Sequence, residues 1–341
     1  MKVLLYFEGE KVISVSGIGR ARKHQMMACE ACGIEYTTNP LDSYDILHIN
    51  TYLVNSNSII AKARKEGKGV IYHAHSTEED FRNSYIFSNQ IAPTFKKYLV
   101  SLYSQADEII TPTPYSKKLI ESYGINLPIT AISNGIDLKR FSYDEAKVKA
   151  FRKYFSLKED DKVILGVGLL FERKGLLDFF EVARSLPEYK FIWFGDTPLV
   201  SVPNTIKTAI DSRPMNVIMP GYVKGAIIEG AYLDSACFFF PSYEETEGIV
   251  VLEALASRQQ LIVRDIGAFD PWLKHGFNCY KANDNQEFIS LIKDYVDGKL
   301  PSTVDNGYLT AKERSIENVG QQLKEVYTRV YEKSKQNEKT I

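Results

Sequence analysis

Short apolar runs alternate with longer segments whose apolar positions recur every three to four residues, and the alternation runs through the chain twice. The runs VLLYF (3–7), DILHIN (45–50), GVIYHAH (69–75), EIITPT (108–113) and ITAIS (129–133) are apolar on both faces, as strands of a buried parallel sheet are. A glycine turn is predicted at Ser16-Gly17-Ile18-Gly19, followed by a helix over GRARKHQMMACEACG that ends at Gly33. After the charged stretch FSYDEAKVKAFRKYFSLKEDDK (141–162), a second series of strands is predicted at VILGVGLL (163–170), KFIWFG (190–195), NVIMPGY (216–222), ACFFFP (236–241) and QLIVRD (260–265). The closing segment ENVGQQLKEVYTRVYEKSKQ carries Leu323, Val326, Tyr327 and Val330 on one helical face.

Strand and helix in alternation specify an α/β fold of doubly wound parallel sheets. Two such Rossmann-like domains are expected, over 1–155 and 156–318, with a helix and tail at 319–341 that crosses back to the first domain. Sheets of this kind bind ligands beyond their carboxyl ends, so a shared cleft between the domains is the expected place for chemistry.

A chain of 341 residues agrees with two domains. Its formal net charge of −1 provides no global attraction to nucleic acid or to an anionic membrane. No apolar run reaches membrane-spanning length, and acids early in MKVLLYFEGEKV argue against a signal peptide, so a cytoplasmic protein is expected. Four scattered cysteines suit a reducing compartment, and the lone C-x-x-C of Cys29 and Cys32 reads as helix packing rather than a zinc or redox site.

The glycines of SGIGR lack the third glycine of a dinucleotide fingerprint, Arg22 standing in its place, and no ribose-binding acid follows the next strand. NAD is not expected, although the turn, with Arg20, could face an anion or be a turn alone. GLLFERKG lacks the order of a P-loop, but Arg173 and Lys174 stand where a strand has ended and a helix begins, a position that suits a diphosphate. In PSYEETEGIVVLEALA, a fully helical path would set Glu245 and Glu253 about 12 Å apart. That is too far for one metal and beyond a glycoside-hydrolase pair. It suits a ligand gripped at two ends, with a diphosphate near the helix start at Gly248 and Ile249, as a nucleotide sugar would be. His73 and His75 form H-x-H; on the expectation that they point to opposite faces of their strand, and with no further ligand cluster, no metal site is assigned. His24 and His48 read as structural.

The E-x7-E motif, GYV (221–223), the RKG turn, SNGID (133–137) and RDIGAFDPWLKHGFNCY (264–280) together resemble the retaining glycosyltransferases of family four, which have the GT-B fold. The amino-terminal half, with SGIGRARKHQ, DILHINTY, HAHSTEEDFRNSYIFSN and ITPTPYSKKLI, is similar to the bacterial synthases that add a second hexose to monoglucosyl-diacylglycerol, giving the anchor lipid of lipoteichoic acid. The resemblance implies a UDP-hexose donor, galactose favoured and glucose next, and no metal cofactor, in keeping with the absence of D-x-D. It assigns Glu245 to the donor sugar, Glu253 to the ribose, Lys174 to the diphosphate with Gly17 and Gly19 beside it, His75 to the hexose near the reaction centre, and Tyr222 within GYV to the uracil.

Two positions depart from the family pattern. Leu169 stands where an arginine is common, so Arg173 is expected to replace that cation, and Asp270 stands where a glutamate is common. A lipid acceptor implies peripheral attachment to the inner face of the plasma membrane. NSYIFSNQIAPTFKKYLVSLYSQ (83–105) is the candidate contact, through Tyr85, Phe95, Lys96 and Lys97, although Phe95, Leu99 and Leu102 would equally form the buried face of a core helix. Two alternatives remain: a soluble polysaccharide or peptidoglycan-precursor acceptor, and an inactive scaffold of the same fold.

Overall fold

The computed structural model describes residues 1–9, 17–270 and 272–338. The chain divides into two compact units. The first comprises Met1–Glu79, Ile91–Ile136 and the chain from Arg314 onward. Its sheet is formed by β1 (Lys2–Tyr6), β2 (Glu35–Thr37), β3 (Ile46–Ile49), β4 (Gly69–His73), β5 (Glu108–Thr111) and β6 (Ile129–Ala131). All pairings are parallel, in the order β2-β1-β3-β4-β5-β6. The order reverses between β1 and β3, which is the switch point of this sheet. Both faces are covered, so β3, β4 and β5 are buried throughout, which is why their sequences show no polar alternation.

The helices of this unit include α1 (Gly17–Ala31), α2 (Ser56–Lys65), α4 (Ser88–Tyr103) from Ile91 onward and α5 (Pro114–Ser122), and the short α3 (Glu78–Phe81) begins in it. Ser16 lies outside the described residues; Gly17 and Gly19 form the first turn of α1 rather than a separate turn before it. Thr113 caps α5 in a reciprocal pair with Ser116.

The second unit comprises Asp80–Gln90 and Asp137–Glu313. Its strands are β7 (Val163–Val167), β8 (Lys190–Phe194), β9 (Val217–Gly221), β10 (Cys237–Phe240), β11 (Leu261–Arg264) and β12 (Tyr280–Ala282). They are parallel in the order β12-β11-β10-β7-β8-β9, so the switch point lies between β7 and β10. The helices are α6 (Glu145–Tyr154), α7 (Leu176–Ser185), α8 (Asn204–Asp211), α9 (Ala226–Asp234), α10 (Ile249–Ala256), α11 (Asn285–Val296) and α12 (Val304–Glu313). Phe179, Phe191, Trp193 and Phe239 pack at its core.

Residues 137–155 belong to this unit although their charge suggested the end of the first domain. Arg140 bonds Glu229 at 2.7 Å, Arg152 bonds Asp234 at 2.6 Å, and Phe151 is buried. The charges face partners on α9.

The last helix, α13 (Ile316–Glu338), packs on α1 and β4 of the first unit, as expected for a helix that crosses back. Leu323, Val326, Tyr327 and Val330 join the core of Val3, Ala28, Ile46 and Ile71. Buried Glu108 holds Arg329 of the same helix at 2.6 Å.

Candidate active site

In the second unit, two loops leave adjacent strands at the switch point. One follows β7 and carries Arg173, Lys174 and Gly175; the other follows β10 and carries Ser242, Glu245 and Gly248. The loops lie against each other: Tyr243 N–H donates to the Arg173 carbonyl at 2.7 Å, and Ser242 Oγ lies 3.1 Å from the same oxygen. Gly175 has φ 73°, and a Cβ there would stand 2.4 Å from the Pro241 carbonyl oxygen. Only glycine permits that approach.

Lys174 Nζ lies 2.5 Å from Glu245 Oε1, which also accepts from the Ser242 hydroxyl at 2.7 Å. Glu245 is 5% exposed. Burial alone would raise its carboxyl pKa, but Lys174, Arg173 and the hydrogen bonds from Lys174 and Ser242 outweigh burial and hold it below its ordinary value. Burial, with Arg173 adjacent, pulls Lys174 below its ordinary value against the opposing effect of Glu245 and Asp80. The carboxylate is therefore ionised at neutral pH and acts only as an acceptor. Gly248, at φ 84°, starts α10 without a side-chain cap, so the helix presents its N-terminal N–H groups beside Glu245.

Several sequence-derived expectations change here. Glu245 is not on a helix: α10 begins at Ile249, and only Glu253 is helical. Glu253 is 1% exposed and accepts a hydrogen bond from Tyr232 at 2.9 Å. Arg173 is not a spare cation. Its Nε donates to Ser84 at 2.8 Å, and its Nη1 lies 3.0 Å from both Asp80 and the Glu244 carbonyl. Its backbone N–H donates to Asn83 O at 3.1 Å. Burial lifts the Asp80 carboxyl above its ordinary value, although Arg173 and Lys174 oppose the shift. Asp80 and Ser84 escaped the sequence reading because they come from a distant segment; Ser242, three residues before Glu245, was visible in PSYEE. Tyr222 follows edge strand β9 and is 42% exposed, with Lys224 over its ring.

His75 belongs to the first unit, as do Gly17 and Gly19. The expectation that His73 and His75 face opposite ways is wrong. Residues two apart on a strand share a face, and the two rings stack with centroids 4.0 Å apart. Burial lowers the His75 imidazole to about 3. Among the described residues no group of His, Cys, Asp and Glu is placed to hold a metal ion. Cys29 is a buried free thiol whose pKa burial pushes up to about 12.

The expected membrane residues also divide. Phe95 packs against Tyr52 beside the first unit's core, and Lys96 pairs with Glu78 at 3.4 Å and lies over the Tyr123 ring, so helical periodicity marked a core face. Tyr85 remains exposed, its ring edge against Phe171, and Lys97 is exposed.

Comparison with known proteins decides the family. The sequence profile Glycosyl transferases group 1 matches residues 147–314, and Glycosyltransferase Family 4 matches residues 37–140. The processive diacylglycerol alpha-glucosyltransferase of Acholeplasma laidlawii is 50% identical over 97% of this chain and 98% of its own length. The chain is a family four glycosyltransferase. The alpha-galactosylglucosyldiacylglycerol synthase of Streptococcus pneumoniae is 23% identical over 92% of this chain and 82% of its own. Among solved structures, Anabaena HepE in complex with UDP and glucose superposes with a TM-score of 0.79 at 16% identity, covering 96% of this chain and 100% of its own. That match shows the fold, and this glycosyltransferase has the expected GT-B architecture of two parallel-sheet α/β units. It is a homologue of enzymes that glycosylate diacylglycerol lipids.

Proposed function

We propose that this glycosyltransferase moves glucose from UDP-glucose to diacylglycerol and then to the monoglucosyl product, with retention and without a metal cofactor. The observation that carries the reading is the 50% identity, nearly end to end, to a processive diacylglycerol glucosyltransferase. It favours glucose over the galactose suggested by the amino-terminal motifs. The geometry is compatible. Lys174 would exchange its contact with Glu245 for the diphosphate, which the α10 N–H groups also favour. The freed, ionised Glu245 would accept from the hexose hydroxyls. As the bond to the sugar breaks, negative charge would grow on the departing diphosphate, and Lys174 with the α10 N-terminus would stabilise it there. Glu253 would serve the ribose, Tyr222 the uracil, and His75 the hexose.

The acceptor is a membrane lipid on this reading, yet among the described residues no helix is long and apolar enough to cross a membrane. A surface contact is therefore needed. In the second unit the Ile86 N–H donates to Ser201 O at 3.1 Å, joining two loop tips. One shows Ile86 and Phe87, the latter 67% exposed, and the other Leu199 and Val200, the latter 84% exposed. Phe87 holds φ 64°, an unfavourable backbone for an aromatic residue that projects its ring outward. Residues 80–84 of the same segment grip Arg173, which ties the apolar tip to the loop that carries Lys174.

Flotation with vesicles of diacylglycerol in phosphatidylglycerol tests the reading. The protein should float with them and stay behind with vesicles of neutral lipid lacking diacylglycerol at high salt. A protein that never floats, yet transfers glucose to a soluble saccharide, would replace the lipid acceptor with a soluble one.

A further inference from the structure

A buried polar network in the first unit leads from the C-terminal helix to His75. Tyr327 of α13 lies 2.7 Å from His48 Nδ1, and His48 Nε2 lies 3.2 Å from His73 Nδ1. Gln25 Nε2 lies 2.9 Å from that same His73 nitrogen and donates to Asn50 Oδ1 at 2.7 Å. Asn50 Oδ1 is in turn 2.9 Å from His75 Nε2. His48, His73, Gln25, Asn50 and Tyr327 are all essentially removed from water.

The proton positions follow from donor and acceptor chemistry. Asn50 Oδ1 is a carbonyl oxygen and only accepts, so His75 Nε2 carries the proton and Nδ1 keeps the lone pair. Gln25 uses one amide hydrogen toward Asn50 and the other toward His73 Nδ1, which therefore accepts. His48 then donates through Nε2 and accepts the Tyr327 hydroxyl at Nδ1. One arrangement of neutral rings satisfies every contact, and a proton on His73 Nδ1 would face two N–H groups. The stacked rings of His73 and His75 add a geometric stop against rotation.

We propose that Asn50 and Gln25 are positioning residues that lock His75 in the Nε2–H tautomer, leaving Nδ1 as an acceptor for a hydroxyl of the transferred hexose, with α13 completing the lock through Tyr327 and His48. This inference rests on the assignment of His75 to the hexose made above. A His75 free to flip or to exchange tautomers would meet the sugar hydroxyl as a donor instead of an acceptor, or turn its ring away from it, and the orientation held for the transition state would be lost. Asn50 and Gln25 should therefore affect turnover more than binding.

The test compares Asn50→Leu, Asn50→Asp and His75→Ala in glucose transfer from UDP-glucose, with 15N spectra of the histidine rings in the wild type. Asn50→Leu should lose about 10- to 100-fold in kcat with KM for UDP-glucose within about threefold, the effect expected when an orienting partner is removed. Asn50→Asp retains an acceptor at the same point and should recover most of the rate. The wild-type spectrum should show His75 protonated at Nε2. Full kcat in Asn50→Leu alongside a crippled His75→Ala overturns the positioning role and leaves His75 in the site. Full activity in His75→Ala instead removes His75 from the donor site. Should Asn50→Leu fail to fold, the wild-type spectrum still decides, since a His75 protonated at Nδ1 contradicts the lock.

Discussion

Replacing Glu245 with glutamine removes a charge that Lys174 Nζ touches, at 2.5 Å, while keeping the shape of the side chain. With an effective dielectric constant of about 20, opposite charges at this separation attract by about 7 kcal/mol, and desolvation of both groups offsets part of that. Breaking a buried pair on one side costs about 3–5 kcal/mol, because the remaining charge stays buried and unpaired. Arg173 sharpens the effect, since its Nη1 lies 4.0 Å from the same carboxylate and repels Lys174. For a unit of this size, the loss should lower the melting temperature by roughly 10 °C. The assay is thermal unfolding at neutral pH of Glu245→Gln, Lys174→Met and the double variant. The double variant leaves no orphaned charge and should regain most of the lost stability, while transferring no sugar. A single Glu245→Gln variant that melts within about 1 °C of the wild type, or a double variant no more stable than the singles, would refute the buried pair as an energetic unit.

Acid should destabilise the first unit. Burial holds His48 and His75 near 3, against an ordinary value of 6.5, so below 6.5 the unfolded chain binds protons that the folded chain refuses. Stability is then full above that pH and falls as pH drops toward 3, by about 2 kcal/mol for each of the two between pH 8 and pH 5; denaturant titrations at the two pH values measure it, and equal midpoints would contradict it. Gly175→Ala combines φ 73° with a Cβ 2.4 Å from the Pro241 carbonyl, so it should unfold several degrees lower and displace Lys174, with loss of transfer. Phe87→Asp with Val200→Asp should weaken vesicle binding at least about tenfold, the equivalent of about 1.5 kcal/mol of apolar contact, while leaving UDP affinity by calorimetry unchanged. EDTA should leave the transfer rate unaltered, and inhibition reversed by added magnesium would overturn the metal-free reading.

Much of the fold was legible because the central strands of both sheets are buried on two faces and therefore read as uninterrupted apolar runs. β12 was not, being three residues long within a polar region. The charged stretch at 141–162 gave a misleading boundary at 155, since Arg140 and Arg152 meet acids on α9 rather than solvent. In the candidate site, Lys174 was visible from its place at a strand-to-helix turn, and Glu245 and Gly248 from their spacing to Glu253 and the helix start between them. Asp80 and Ser84, which commit Arg173, are about ninety residues away in sequence and have no local signature. Phe95 illustrates the opposite failure, since helical spacing of apolar residues is the same for a core face and for a membrane face. The histidine network required long-range contacts between β3, β4, α1 and α13, which no short stretch of sequence reveals.

The most direct measurement is glucose transfer by the purified protein to vesicles containing either diacylglycerol or monoglucosyl-diacylglycerol, with UDP-glucose and UDP-galactose supplied in parallel. The account predicts glucosylated product from both lipids with UDP-glucose, and none with Glu245→Gln. Galactose transfer in place of glucose, or no lipid product from either donor, would contradict it.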